Sequence, residues 1–465
     1  MLPLIWCDDL AAPLAWRQGR PITRRQYLAD VRALAARLPA DGPMLNTSTD
    51  RYHFAVGLGA GLLRGHANLM PPNHLADTVV RLQALFANSY GLHDDPVRQV
   101  ALPMVWQPHA PAPLPDDEAV PQIPADALAA QVLTSGSTGA PMPHAKHWGG
   151  LVQNTQAGAQ RLASHMGRAS LAGVAIVATV PAQHMYGFES TVLVSLLAGA
   201  AFDVDRPFYP ADIARALGRV PRPRLLVTTP FHLKLLLDSS VAVPPIDLTL
   251  CATAPLSPQL AARAEATLGA PLMEIYGCTE AGQVASRRPA AGIEWHTYAG
   301  LRLSGDGEAS VISGGHVPVP TRLADVLEVV DAQSFRLLGR SNDLINVAGK
   351  RSSLAHLNYH LNSIAGVQDG AFWLPPGADD GTGDGTGDGS TAVLRLAAFV
   401  VAPGLAHADI LAALRQRIDP AFLPRPLVSV PALPREPTGK LPASEFSAWA
   451  ALRLQPGAGT AGPQR

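Results

Sequence analysis

The chain has 465 residues, enough for two or more domains and a large core. A formal charge of −1 supplies no basic field for nucleic acid, and 47% hydrophobic with 16% charged residues argues for a compact enzyme-like protein and against a disordered one. No apolar run reaches the ~18 residues of a membrane span, the start MLPLIWCDDL lacks the basic segment of a secretory leader, and Cys7, Cys251 and Cys278 have neither disulfide-framework nor zinc spacing. A cytoplasmic protein is expected.

Residues 23–37 read as an amphipathic helix with Thr23 as its N-cap. Further helices are expected over about 50–64 and 77–86, alternating with strand-like runs, which predicts an α/β domain. Residues 107–125 are Pro-rich and read as a surface connection. TSGSTGAPMPHAK at 134–146 follows an apolar run at 127–133. There Gly136 and Gly139 free the backbone for close approach. Thr134, Ser135, Ser137 and Thr138 add hydroxyls beside exposed N–H groups, so the loop can wrap a polyphosphate. No Gly-Lys-Ser/Thr follows, so it is not a Walker A motif, and taken alone it reads equally as a Ser/Gly turn.

A helix is expected over 148–162 and a buried β-branched strand over 174–180, while His144 and Trp148 read equally as site residues and as plain packing. The strand runs into a turn at 181–188 carrying His184 and Tyr186, followed by a helix at 191–197. Strand 225–229, helix 230–237, strand 248–253, a helix to 268 capped by Ser257, and strand 273–276 continue the alternation. Ligands of open α/β sheets sit outside the strand ends, so the loops at 181–188, 254–256 and 276–280 are expected to share one pocket. From about 300 the texture turns to short β-runs, with a hairpin predicted from 326–330 and 334–338. The polar stretch 339–343 reads as a domain boundary, and 342–450 as helix, strand, strand, helix and a terminal loop. The Gly/Asp repeat at 379–389 has too few units for a calcium-binding roll and reads as a flexible hairpin tip, and a disordered tail is expected over 455–465.

Four segments in one order carry a resemblance: TSGSTGAP, YGCTE at 276–280, GRSNDLINVAGKR at 339–351 and LPREPTGKL at 433–441. Together they resemble the adenylate-forming, AMP-binding superfamily of acyl-CoA synthetases, aryl-CoA ligases and peptide-synthetase adenylation domains. The wording PHAKHW is similar to small ligases of aryl-polyene-type lipid pathways. The resemblance covers nearly the whole chain. It implies a large α/β N-terminal domain over 1–340, layered with a distorted β-barrel, and a small mobile α+β domain over 341–454. It also implies a reaction in which an aryl or medium acyl carboxylate attacks ATP, giving acyl-adenylate and pyrophosphate. A thiol of CoA, or of a carrier protein's phosphopantetheine, then takes the acyl group.

The same resemblance implies roles. Thr134, Ser135, Gly136, Ser137, Thr138 and Gly139 would hold the phosphates, Tyr276 and Gly277 would flank the adenine, and Thr279 would reach the α-phosphate. Glu280 would coordinate magnesium, a hard cation that wants oxygen ligands. Asp325, 15 positions before Arg340, would accept the ribose hydroxyls while Arg340 adds fixed donors. Lys440 in PTGK resembles the mobile catalytic lysine, a point charge on a flexible stem. His184 and Tyr186 correspond to an aromatic gate, with a structural histidine as the competing reading. Gly187, Ala254 and Gly277 would leave room for the acyl group, Gly349 would pass the pantetheine arm, and Asn342, tolerant of left-handed dihedrals, would be the hinge. Three departures stand out: Met142 where the family has Lys, with Lys146 four residues on; Asn342 where Asp or Lys is usual; and Leu323-Ala324 before Asp325 in place of Thr-Gly. They motivate a second reading, a non-catalytic adenylate-binding scaffold, against which Glu280, Asp325, Arg340 and Lys440 stand.

Overall fold

The computed structural model describes residues 1–454 apart from 7, 96–99, 115–118, 136–140, 254–255, 306, 308, 341–343, 348–349, 376–395 and 436–440. Helices begin where short polar side chains can accept orphan backbone N–H groups. Thr23 accepts from Gln26 to start Arg24–Ala35, Asp50 accepts from Tyr52 and His53 to start Arg51–Arg64, and Ser257 accepts from Leu260 to start Pro258–Leu268. Gly65 and Gly269, both left-handed, end the last two of these.

The apolar runs become parallel strands because both of their faces are covered. Leu272–Cys278, Leu248–Cys251, Arg224–Thr228, Ala175–Ala178, Ala201–Asp203 and Pro13–Arg17 lie side by side in that order, all parallel. Arg20–Thr23 closes one edge antiparallel. At the other edge come Gly282–Arg287, Trp295–Thr297, Ser334–Arg340 and Asp325–Asp331, also antiparallel, giving 11 strands among the described residues. A second sheet has Met104–Trp106, Tyr90–His93, Met44–Asn46, Asn68–Met70 and Leu128–Ser135 in parallel, with Pro141–His147 antiparallel at its edge. The largest core lies between these layers, and a second core forms where Tyr276, Trp295, Tyr298 and Phe335 meet. The mixed α/β architecture expected from the alternation is the one observed. No helix among the described residues is long and apolar enough to cross a membrane.

Several local expectations need correction. The helix expected at 191–197 is a π-helix over Phe188–Leu193 followed by Val194–Leu197. The Thr191 hydroxyl donates to the Gly187 carbonyl at 2.5 Å, competing with the regular ladder. The hairpin is longer than predicted, spanning Asp325–Asp331 and Ser334–Arg340. Beyond 343 the chain adds a hairpin, Leu344–Val347 with Lys350–Ser353, before helix Leu354–Asn362. Strands Asp369–Trp373 and Ala397–Val401 and helix His407–Arg415 follow. A third strand, Leu427–Ser429, and a helix, Ala443–Leu454, which the sequence reading did not include, complete this part. That helix forms because Phe446 and Ala450 bury against Phe399, with Trp449 also in contact. The 379–389 repeat and the 455–465 tail lie outside the described residues.

Candidate active site

Four neighbouring parallel strands, Ala175–Ala178, Arg224–Thr228, Leu248–Cys251 and Leu272–Cys278, end on the same side of the sheet. Tyr186 ties two of these ends together: its hydroxyl lies 3.0 Å from the Thr228 carbonyl and 2.9 Å from that of Leu250. The side chain is thus held as a wall. His184 is exposed and borders a cavity of about 370 Å³ together with Gln183, His74 and Arg206. Gly187 does not open acyl space at its Cβ position, which would meet the Pro181 carbonyl at 2.0 Å. At Gly277 the Gly282 carbonyl would lie 2.4 Å away. Both glycines therefore serve close backbone approach rather than the room for an acyl group that sequence reasoning assigned them. Ala254 lies outside the described residues, but the segment after it is anchored, because the Leu256 N–H donates to buried Glu274 at 3.0 Å. Glu274 in turn pairs with Arg287 at 2.7 Å.

The residues expected around a nucleotide lie on the same sheet. Tyr276 is 7% exposed and packs its ring edge-on against Trp295 and Phe335, which stack on each other. Its hydroxyl donates to Asp325 Oδ2 at 2.7 Å. Asp325 stands directly opposite Arg340 in the hairpin register. The sheet thus brings together three residues that sequence reasoning had assigned to one nucleotide. Burial, with Glu280 and Asp325 adding negative charge nearby, pushes the Cys278 thiol up to about 12, so it is no nucleophile at neutral pH.

Thr279 and Glu280 follow the strand Leu272–Cys278. The strand Pro141–His147 faces them with alternate residues, since Met142, His144 and Lys146 share one side of a strand. Lys146 Nζ donates to the Glu280 carbonyl at 3.2 Å, and His144 Nε2 lies 3.9 Å from Glu280 Oε1. Met142, on the same side, is 57% exposed. Burial lowers the Lys146 pKa, opposed by the carboxylates of Glu189 and Glu280. Among the described residues no three His, Cys, Asp or Glu side chains gather to hold a metal. A single partly exposed carboxylate fits magnesium nonetheless, because that ion keeps waters and takes other oxygens from phosphates. Thr134 and Ser135 close the strand Leu128–Ser135, opposite Met142 and Pro141. Gly136, Ser137, Thr138, Gly139, Asn342, Gly349 and Lys440 lie outside the described residues.

Behind this turn sits a buried polar cluster that sequence reasoning missed. Glu189, 4% exposed, accepts from Asn154 Nδ2 at 2.5 Å and lies within hydrogen-bonding reach of Gln283. Burial raises its pKa to about 7 against the pull of Lys146 and these two donors. His316 Nε2 meets the Gln283 carbonyl at 2.9 Å, and burial lowers its pKa to about 4, leaving it neutral at pH 7. The signal available in the sequence was that Glu189 is the one acidic residue in the otherwise apolar and small-residue stretch 185–201.

Three comparisons with known proteins bear on this geometry. The profile of the AMP-binding enzyme family matches residues 68–321. A 4-coumarate–CoA ligase of Rhodobacter capsulatus is 32% identical over 286 residues, 62% of this chain and 66% of that protein. A second, from Halorhodospira halophila, is 32% identical over 240 residues, 50% of this chain and 55% of that protein. The match thus spans less than two thirds of the length of either curated relative. Among solved structures, ATP-bound MatB from Rhodopseudomonas palustris superposes with a TM-score of 0.75 at 17% identity, covering 96% of this chain and 97% of that one. At that identity the likeness speaks for the fold alone.

Proposed function

Because the chain belongs to the AMP-binding enzyme family, we propose that it is an AMP-forming acid–thiol ligase that activates a small carboxylic acid with ATP. The observation that carries this reading is the Tyr276–Asp325 contact, with Arg340 opposite and the Thr279-Glu280 turn on the same strand end. A carboxylate oxygen of the acid attacks the α-phosphorus, the bond to the bridging oxygen breaks, and pyrophosphate leaves. The thiol sulfur then attacks the acyl carbonyl carbon, the acyl–phosphate bond breaks, and AMP leaves.

In this reading Asp325 accepts the ribose hydroxyls and Arg340 adds fixed donors. Thr279 meets the α-phosphate, and the 134–139 loop holds the outer phosphates. Glu280 would hold magnesium, which supplies neutralisation of phosphate charge. Lys440, carried by a C-terminal domain over 341–454 that turns about Asn342, orients the carboxylate, and Gly349 then admits the thiol arm. The names of the two 4-coumarate–CoA ligases favour an aryl acid over a medium acyl chain. CoA and a carrier protein's phosphopantetheine remain rival acceptors, and the reaction would run in the cytoplasm.

The test is acid-dependent release of pyrophosphate from ATP and magnesium across aryl and fatty acids, with Lys440→Ala alongside. One acid class should support release, and the variant should lose roughly 10²–10³ in rate. Adding CoA or a carrier protein then identifies the acceptor. A second reading, adenylate binding without turnover, draws on Met142, which points to solvent where the family has a lysine. ATP binding with no release for any acid would favour it.

A further inference from the structure

A buried carboxylate is an expensive group to keep: removed from water, it costs several kcal/mol unless donors and a cation compensate. Glu189 has two neutral donors, Asn154 and Gln283, and one cation coupled to it through space, Lys146. It sits on the π-helix Phe188–Leu193, a helix type that favours functional positions. Two further contacts say what it serves. Gly282 is left-handed at φ +77°, and a Cβ there would lie 3.1 Å from Glu189 Oε1 and 2.9 Å from Asn154 Nδ2. The backbone that follows Thr279 and Glu280 therefore rests against the carboxylate. Lys146, the cation coupled to Glu189, donates to the Glu280 carbonyl from the other strand.

We infer that Glu189 is a positioning residue for nucleotide binding, anchoring Lys146 by charge so that the two hold the Thr279–Gly282 turn between them. The missing lysine at position 142 is thus not simply moved along the strand. Lys146 acts on the backbone of the turn, and Glu189 is the counter-charge that keeps it there. The inference rests on the proposed ligase reading.

The experiment compares wild type, Glu189→Gln, Lys146→Met and the double variant in steady-state pyrophosphate release, with thermal midpoints alongside. Glu189→Gln keeps the shape and removes the charge. It should raise the KM for magnesium–ATP about tenfold, as loss of groups that orient metal and phosphate ligands does. The KM for the acid should stay within about twofold. Lys146→Met should match it, and the double variant should be no worse than either single one, because the two act as a unit. An unchanged KM for magnesium–ATP in Glu189→Gln, or a double variant whose losses multiply, overturns the inference while leaving the ligase reading intact. If wild type releases no pyrophosphate, the ligase reading fails, and calorimetric magnesium–ATP binding takes over: weakening by about tenfold in Glu189→Gln supports the clamp, and equal or absent binding overturns it. Should Glu189→Gln not fold, Lys146→Met and Lys146→Arg carry the test. Loss in the first with recovery in the second supports the clamp, and no loss in the first overturns it.

Discussion

The hydroxyl of Tyr276 and the carboxylate of Asp325 meet at 2.7 Å across 49 positions of sequence. The contact joins the last parallel strand to the hairpin at the sheet's edge, so a residue expected to stack on a base also orients one expected to bind a ribose. Tyr276→Phe keeps the ring packing against Trp295 and Phe335 and deletes the donor. A hydrogen bond to a charged group is worth about 1.5–3 kcal/mol. At about 1.4 kcal/mol per tenfold, the KM for ATP should rise at least about tenfold with kcat within about threefold. Steady-state pyrophosphate release measures both, and an unchanged KM would mean that Asp325 holds its orientation without help.

Arg51 fastens strand ends from beneath. Its guanidinium donates to the carbonyls of Asp203 at 3.0 Å, Asp205 at 3.3 Å, Ala178 at 3.2 Å and Val180 at 2.8 Å. Burial lowers its pKa to about 10, with Asp203 opposing that fall. Arg51→Met leaves these carbonyls without their donor, and the loss should approach the ~3–5 kcal/mol of broken buried charge contacts. Urea denaturation reads this directly. A midpoint shift worth less than about 1 kcal/mol would show that water or a shifted backbone replaces the guanidinium.

These cases separate what was legible in the residues from what was not. Thr23 and Ser257 announced their helices because an N-cap is a local chemical event, and the apolar strands announced themselves because parallel strands are covered on both faces. The Asp325–Arg340 spacing was legible because a hairpin converts separation along the chain into opposition across it. The Glu189 cluster was not, because its four elements meet only through the sheet order and no periodicity marks a buried carboxylate. The π-helix was hidden for a related reason: Phe188–Leu193 is buried on all sides, so its sequence shows no face. The final helix, Ala443–Leu454, depends on packing against Phe399, a contact invisible to local pattern.

Stability should depend on pH from two directions. Burial holds His232 and His316 at about 4, below the ordinary 6.5. Between those values the unfolded chain binds more protons, so the stability these residues contribute above pH 6.5 is lost as pH falls towards 4. Glu189 has the opposite sign, because its folded value of about 7 exceeds the ordinary 4.5. Its contribution is complete below pH 4.5 and is lost as pH rises through 7. Thermal midpoints from pH 4 to 8 should therefore fall on the acid side in both wild type and Glu189→Gln. The difference should turn increasingly in favour of the variant as pH rises towards neutrality. Parallel curves would sink the assignment of a buried, titrating Glu189.

The junction to the C-terminal segment is tightly made. Ser353 Oγ donates to the Leu338 carbonyl at 2.7 Å and accepts from His356 N–H at 3.0 Å. Gly339, at φ +138°, lies so close that a Cβ would fall 2.2 Å from that oxygen. Gly339→Ala should cost about 2–3 kcal/mol through strain and overlap, and Ser353→Gly about 1 kcal/mol, because glycine is an acceptable N-cap but the hydrogen bond to the Leu338 carbonyl is lost. Combining them should recover part of the Gly339→Ala loss. Purely additive losses in chemical denaturation would place the strain in the backbone alone.

The hairpin Asp325–Asp331 and Ser334–Arg340 has a consequence for how this protein can change. Asp325 and Arg340 face each other at the open end, the full length of both arms from the turn. A strand alternates its side chains every residue, so an insertion of one residue in either arm reverses the faces beyond it. The tip can exchange residues, whereas the register of the arms shifts between Val326 and Leu327 and again between Val329 and Asp331, and Asp325 still meets Arg340 only because the two shifts offset each other. Lineages descending from this chain should vary the letters of 331–333 while conserving the count between Asp325 and Arg340.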